Sequence, residues 1–248
     1  MLATPWLIRP RPVAHPRIRL ICFPFAGAGP SAYRAWRTAF SPDVDVCFVQ
    51  LPGRESRMRE QSFTGMTPLV DALETHLEPF LHGSFVFYGH SLGALVAFEL
   101  TRRLRQSGRT LPMHLFVAAR RAPHLPAPSA PLHQLDDDAF MRAIRAKYDG
   151  IPSVIFDDLA LRAMYLPPIR ADMTVLETYR CADQPPLAVP VTAFGARYDP
   201  HATPDELEQW RQHCGADFSV SIVGEKHFFS RDNPSRVIRA IRLILDGT

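Results

Sequence analysis

Gly89-His90-Ser91-Leu92-Gly93 fits the pattern G-x-S-x-G. It follows the apolar run 85–88 directly and opens a stretch with apolar residues at Leu92, Leu95, Val96, Leu100 and Leu104. Strand, sharp turn and helix in that order make a nucleophile elbow, in which the flanking glycines remove side chains that would clash in the turn. The rival reading is a glycine-rich turn with a capping serine, and the strand–turn–helix setting favours the elbow. A serine hydroxyl is a poor nucleophile alone and needs a base.

The chain has ten histidines. His227 follows the last apolar run, 218–223, which is where the base belongs when the chain order is Ser, acid, His. His90 lies inside the elbow and cannot easily fold its ring back onto Ser91. The other histidines read as surface or packing residues. The base needs a carboxylate to fix its tautomer and stabilise imidazolium. Asp199, a short loop beyond the run 191–195, takes that place at the carboxyl end of the penultimate strand. Asp157, Asp158 and Asp172 fall in a helical segment, and Asp136 to Asp138 look like a helix start. His201 is too close behind Asp199 to be the base that Asp199 orients. The oxyanion needs backbone donors. Leu92 N–H, just after the nucleophile, is one. The N–H of Ala26, or else of Phe25, in the loop Phe23-Pro24-Phe25-Ala26-Gly27-Ala28-Gly29 is the other. That loop lacks G-x-G-x-x-G and Gly-Lys-Ser/Thr, so phosphate binding is the weaker reading.

The elements that must hold these residues alternate. Short apolar runs at 19–23, 44–49, 85–88, 115–118, 191–194 and 218–223 predict strands buried on both faces of a mainly parallel sheet. Helices are expected at 67–81, 92–106 and 203–213 and after Asn233-Pro234, with Val237, Ile238, Ile241 and Ile244 on one stripe. The class is α/β with crossover connections. Between the fourth and fifth runs the alternation stops. About 121–188 carries prolines and helical pieces near 137–147, 156–164 and 172–179, with no clear strand. The expectation is one domain, 1–248, with a helical lid inserted over the carboxyl edge of the sheet. Its length and proline content predict a mobile lid.

Composition narrows the function. Of 248 residues 46% are hydrophobic and 21% charged, and 28 basic against 25 acidic side chains leave a net charge of +3. That argues against disorder and against a nucleic-acid binder with a concentrated basic face. Cys22, Cys47, Cys181 and Cys214 form neither a zinc pattern nor a disulfide framework, so no metal is expected. No signal peptide and no membrane span is expected, which points to a cytoplasmic protein.

Several ordered motifs resemble the type II thioesterases that accompany polyketide synthases and nonribosomal peptide synthetases. They are Cys22-Phe23-Pro24-Phe25-Ala26-Gly27, Gln50-Leu51-Pro52-Gly53-Arg54-Glu55, Phe87 to Ala94, Arg120-Arg121-Ala122-Pro123, Leu166-Pro167-Pro168-Ile169-Arg170-Ala171-Asp172, and His227-Phe228-Phe229. Departures from the family pattern are Phe25 where His is common, Ala28 for a second glycine, Ala196 after Gly195, and Glu225-Lys226 between Gly224 and His227. The resemblance implies an α/β-hydrolase fold and a stand-alone, monomeric editing enzyme. Such an enzyme hydrolyses acyl groups from the phosphopantetheine arm of acyl or peptidyl carrier proteins by a Ser91–His227–Asp199 acyl-enzyme route, with no cofactor, because the arm belongs to the substrate. A fatty-acyl-carrier thioesterase, a general carboxylesterase, and a non-catalytic hydrolase-like receptor are the alternatives.

Overall fold

In the sheet, side chains two apart along each strand face the same way, and both sets are apolar. Ile21, Phe23, Phe87, Val117 and Ala193 enter one buried cluster, while Leu20, Cys22, Tyr88, Phe116 and Phe194 enter another. A strand with two apolar faces needs cover on both sides. The chain supplies it as follows. The computed structural model describes residues 4–127, 129–148 and 153–247.

Seven strands form one sheet: β1 (Leu7–Ile8), β2 (Ile18–Phe23), β3 (Val44–Val49), β4 (Phe85–His90), β5 (Leu115–Ala118), β6 (Val191–Ala196) and β7 (Phe218–Gly224). Their order is β1-β3-β2-β4-β5-β6-β7. Every pairing is parallel except β1 with β3. The helices are α1 (Met66–Leu77), α2 (Leu92–Gln106), α3 (Asp137–Lys147), α4 (Val154–Asp157), α5 (Leu159–Thr178), α6 (Pro204–Glu208), α7 (Phe229–Asp232) and α8 (Ser235–Asp246), with a 3-10 segment at Pro30–Trp36. Leucines of α1, α2 and α6 cover one face. Tyr33 and Trp36 of the 3-10 segment, with Val237, Ile241 and Leu245 of α8, cover the other. This is the α/β-hydrolase arrangement that the motifs imply.

The six expected strands are present, and β1 adds a seventh. Two residues long between prolines, it is too short to show a period. Its backbone hydrogen bonding to β3 continues where Trp6 carbonyl accepts Gln50 N–H at 2.9 Å. Next to it, buried Asp45 takes both Arg9 and Arg19 at 2.7 and 3.0 Å. Arg9 thus ties the N-terminal stretch to the sheet.

Between β5 and β6 the chain leaves the sheet and builds α3, α4 and α5 around a third cluster that includes Phe140, Ile144, Ile169 and Met173. Residues 128 and 149–152 of the insertion lie outside the described residues. The separate pieces expected at 156–164 and 172–179 are corrected: α5 runs unbroken for 20 residues with Pro167 and Pro168 inside it. A proline removes the hydrogen bond to the carbonyl four residues back. Those carbonyls belong to Ala163 and Met164, both exposed residues, where solvent can reach the freed groups. Among the described residues no helix is long and apolar enough to cross a membrane.

Candidate active site

Ser91 sits where β4 ends and α2 begins, at φ 54° and ψ −112°. A non-glycine residue there is strained. The surroundings hold it: Ser91 N–H donates to Ala118 carbonyl at the end of β5, at 2.8 Å. The flanking glycines are required by space. A Cβ on Gly89 would stand 2.2 Å from the Gly93 carbonyl oxygen, and one on Gly93 would stand 2.1 Å from the Phe23 carbonyl oxygen. Backbone packs against backbone on both sides of the serine.

His227 and Asp199 meet at the same edge. The loops after β6 and β7 are bonded to each other through Arg197 N–H to Gly224 carbonyl and Tyr198 N–H to Glu225 carbonyl, at 3.0 and 2.9 Å. This brings Asp199 Oδ2 to 2.7 Å from His227 Nδ1. Asp199 Oδ1 accepts His201 N–H at 2.9 Å, so both carboxylate oxygens are engaged. With Nδ1–H donating to the carboxylate, Nε2 carries the free lone pair of a base. Asp199 and His227 are 4% and 8% exposed. Ser91 and His227 line one cavity of ≈ 40 Å³, walled by Phe25, Ala26, Tyr148, Met173 and Phe228. Larger clefts exist, but the one of ≈ 450 Å³ bounded by Glu99, Arg102 and Tyr179 brings no nucleophile to a base.

His90 forms a wall behind this pair. Its ring meets the His227 ring edge-on, 5.5 Å between centroids. His90 Nδ1 shares a hydrogen bond with Ser230 Oγ at 2.6 Å, and that hydroxyl also pairs with Tyr88. Burial, reinforced by the neighbouring His227, pushes the His90 pKa well below the usual imidazole value. His201 is a strut: its Nε2–H donates to the Lys147 carbonyl at 2.8 Å, and Tyr148 packs on its ring.

The loop expected to supply an oxyanion donor leads from β2. Leu92 is the first residue of α2, where backbone N–H groups have no partner within the helix. Of the loop amides, Gly27 N–H is committed to Asp172 Oδ2 at 2.7 Å. Ala26, with Phe25 before it, borders the cavity beside Ser91. Gly27 has φ +75°, and a Cβ there would stand 2.5 Å from Ile169 of α5, so a glycine is required on both counts.

The elbow serine, the imidazole and its carboxylate thus gather at one edge of the sheet. The model of the family described as "Thioesterase domain" matches residues 18–245. The chain belongs to this thioesterase family. It is 35% identical over 244 residues to the gramicidin S biosynthesis protein GrsT of Aneurinibacillus migulanus, covering 97% of this chain and 95% of that protein. Among solved structures, RedJ, a thioesterase from the prodiginine biosynthetic pathway in Streptomyces coelicolor, is 39% identical with a TM-score of 0.84, over 93% of this chain and 86% of that one. BorB, described as the type II thioesterase of the borrelidin biosynthetic cluster, is 30% identical with a TM-score of 0.87, over 99% of this chain and 98% of that one.

Sequence reasoning missed one feature of this thioesterase. Asp172 stands as a rival acid and at the end of one motif, and Arg54 stands within another. The structure joins them. Arg54 Nη1 and Nη2 donate to the two oxygens of Asp172 at 2.5 and 3.0 Å, and both side chains are 4% exposed. Arg54 also donates to the Pro52 and Ala28 carbonyls, at 3.2 and 3.3 Å. Next to it Glu55, at φ 48°, accepts Ser31 N–H at 3.0 Å. The loop from 27 to 31 is thus fixed from three directions, by Arg54, Glu55 and Asp172. Both motifs were visible in the sequence, but separate stretches give no sign of which residues pair.

Proposed function

We propose that this thioesterase hydrolyses acyl groups from the phosphopantetheine arm of carrier proteins serving polyketide or nonribosomal peptide synthesis, clearing stalled or wrongly primed units. The observation that carries the chemistry is the His227–Asp199 pair at 2.7 Å, opening on the same narrow cavity as the elbow serine. The pathway follows from the relatives, which are named for gramicidin S, prodiginine and borrelidin biosynthesis.

In this reading Ser91 Oγ attacks the thioester carbonyl carbon while His227 Nε2 takes the hydroxyl proton. Asp199 holds the imidazole in the right tautomer and stabilises the imidazolium. The carbonyl oxygen becomes an oxyanion between the N–H of Leu92 and that of Ala26 or Phe25. The C–S bond breaks, and His227 returns its proton to the leaving sulfur. A thiol with a pKa near 8.5 leaves with little help. Water then repeats the sequence: His227 accepts its proton, the oxygen attacks the acyl carbon, and Ser91 leaves with the proton from His227. The helical insertion acts as a lid whose apolar side chains exclude bulk water from the acyl-enzyme. The arm belongs to the substrate, so the reaction asks for no cofactor.

The test is the intact mass of an acetylated carrier protein after incubation with wild type and with Ser91→Ala. Loss of the acetyl group with wild type alone is the expected result. Retention of the acetyl group by an enzyme that still cleaves a simple aryl ester would replace this reading with a carboxylesterase.

A further inference from the structure

The carboxyl end of α3 stands against the acid–base pair. Phe140, Met141 and Ile144 bury one side of this helix. Tyr148 follows Ile144 by one turn, and the two side chains both line the cavity of Ser91. Between them Lys147 ends the helix. Its carbonyl belongs to the last turn, where carbonyl groups have no partner within the helix. His201 supplies that partner, its Nε2–H donating to the Lys147 carbonyl at 2.8 Å. The Tyr148 ring packs on the His201 ring, 4.6 Å between centroids, and stands 5.6 Å from the His227 ring.

The same residue holds the far side of Asp199. His201 N–H donates to Asp199 Oδ1 at 2.9 Å, while Oδ2 takes His227 Nδ1–H at 2.7 Å. A carboxylate on a loop is free to rotate about its side-chain bonds. Two donors from different directions stop that rotation, one from the base and one from the backbone of residue 201. The His201 ring in turn fixes where its own amide lies, because the ring is pinned to α3. A neutral imidazole carries a single N–H. Burial lowers the His201 pKa from the ordinary imidazole value, and the Lys147 carbonyl places the hydrogen on Nε2. The path from insertion to acid thus runs through carbonyl, imidazole, backbone amide and carboxylate, each bonded to the next. His201 itself does not line the cavity, so it acts through Asp199.

We propose that His201 is a positioning residue: through its ring bond to the Lys147 carbonyl it makes the orientation of Asp199 depend on the seating of α3. The inference rests on the Ser91–His227–Asp199 reading above. An acyl chain that presses on Ile144 and Tyr148 presses on the helix end to which His201 is bonded. The insertion therefore acts on proton transfer as well as on water. Small displacements count here, since a misplacement of about 1 Å can cost about a hundredfold in rate.

The experiment measures kcat and KM on the small thioester acetyl-N-acetylcysteamine, so that no carrier protein is needed. His201→Phe keeps a ring against Tyr148 and removes the donor. His201→Gln loses the ring, but its side-chain amide can donate to the Lys147 carbonyl. The expected result is a kcat about tenfold or more lower in His201→Phe with KM within about twofold, and a kcat within about threefold of wild type in His201→Gln. His201→Ala, which adds no bulk, falls as far as His201→Phe and replaces it if the larger ring prevents folding. The downfield proton resonance of His227 Nδ1–H, the hydrogen bonded to Asp199, moves or broadens in His201→Phe and stays in place in His201→Gln. A purely packing role gives the reverse order, with Phe near wild type and Gln impaired, and overturns the proposal. Equal loss in Phe and Gln, or an unmoved resonance, overturns it too. Turnover retained by Ser91→Ala removes the triad and this inference together. A wild-type enzyme that cleaves the small thioester but not an acetylated carrier overturns the carrier reading alone, and the expected order of the variants still upholds His201.

Discussion

Ser91 is held at φ 54° by two glycines that each lack room for a single carbon. This makes two separable predictions at the level of one residue. Ser91→Ala removes the nucleophile and leaves the packing alone, so acyl transfer falls by at least about a thousandfold with an unchanged melting curve. Gly93→Ala forces Cβ against the Phe23 carbonyl, 2.1 Å away. The backbone must move, and stability falls by about 3 kcal/mol or more, read as a lower urea midpoint. Asp199→Asn keeps the shape but favours the wrong imidazole tautomer, lowering kcat by roughly 10³–10⁴-fold with KM little changed. These residues were legible in the sequence because each stands at a fixed place relative to a strand end. Ser91 follows β4 directly, Asp199 follows β6 and His227 follows β7. Arg54 and Asp172 were not, since their pairing spans 118 positions and depends on how α5 crosses the sheet edge.

Among the elements, α5 is both wall and support. It lines the catalytic cavity with Ile169 and Met173 and sends Asp172 to the Gly27 amide. Asp172→Asn leaves Arg54 buried without its countercharge, and removing one partner of such a pair costs about 3–5 kcal/mol. The double variant Arg54→Met/Asp172→Leu has no stranded charge and is more stable than the single one. It remains slow, because Gly27 N–H has lost its acceptor and the oxyanion loop its anchor. Denaturation curves beside kcat and KM distinguish this from a purely structural pair, for which the double variant would recover its rate as well. Periodicity revealed the long strands and α2, whose span is the expected 92–106. It failed for β1, which is shorter than one period, and for α5, where consecutive prolines read as a break although the helix runs through both. The four-residue α7 is likewise too short to show a stripe.

Over the molecule as a whole, burial lowers four imidazoles from their ordinary range, His90, His114, His201 and His213. Burial pushes His114 and His213 down to about 4 and holds His90 well below the usual imidazole value. Their folded forms resist protonation, while the unfolded chain binds protons below about pH 6.5. Stability is therefore complete above that pH and declines as pH falls, by no more than about 1.4 kcal/mol per unit for each fully buried ring. His213, half-buried, contributes less. Urea midpoints at pH 7 and pH 5 check this, and His114→Gln flattens the slope. At this scale the α/β alternation was plain from the sequence, and the placement of the insertion over Ser91 followed from where open sheets hold ligands. The contacts between insertion and sheet followed from neither. Those contacts limit how such enzymes can be recombined. A helical insertion borrowed from a relative to change acyl preference would carry its own counterpart of Asp172 into a frame that must offer Arg54 and Gly27 at matching positions. Chimaeras cut at the β5 and β6 boundaries alone would separate the donor from its acceptor, so a working graft must also transplant the segment that carries Arg54 and Glu55.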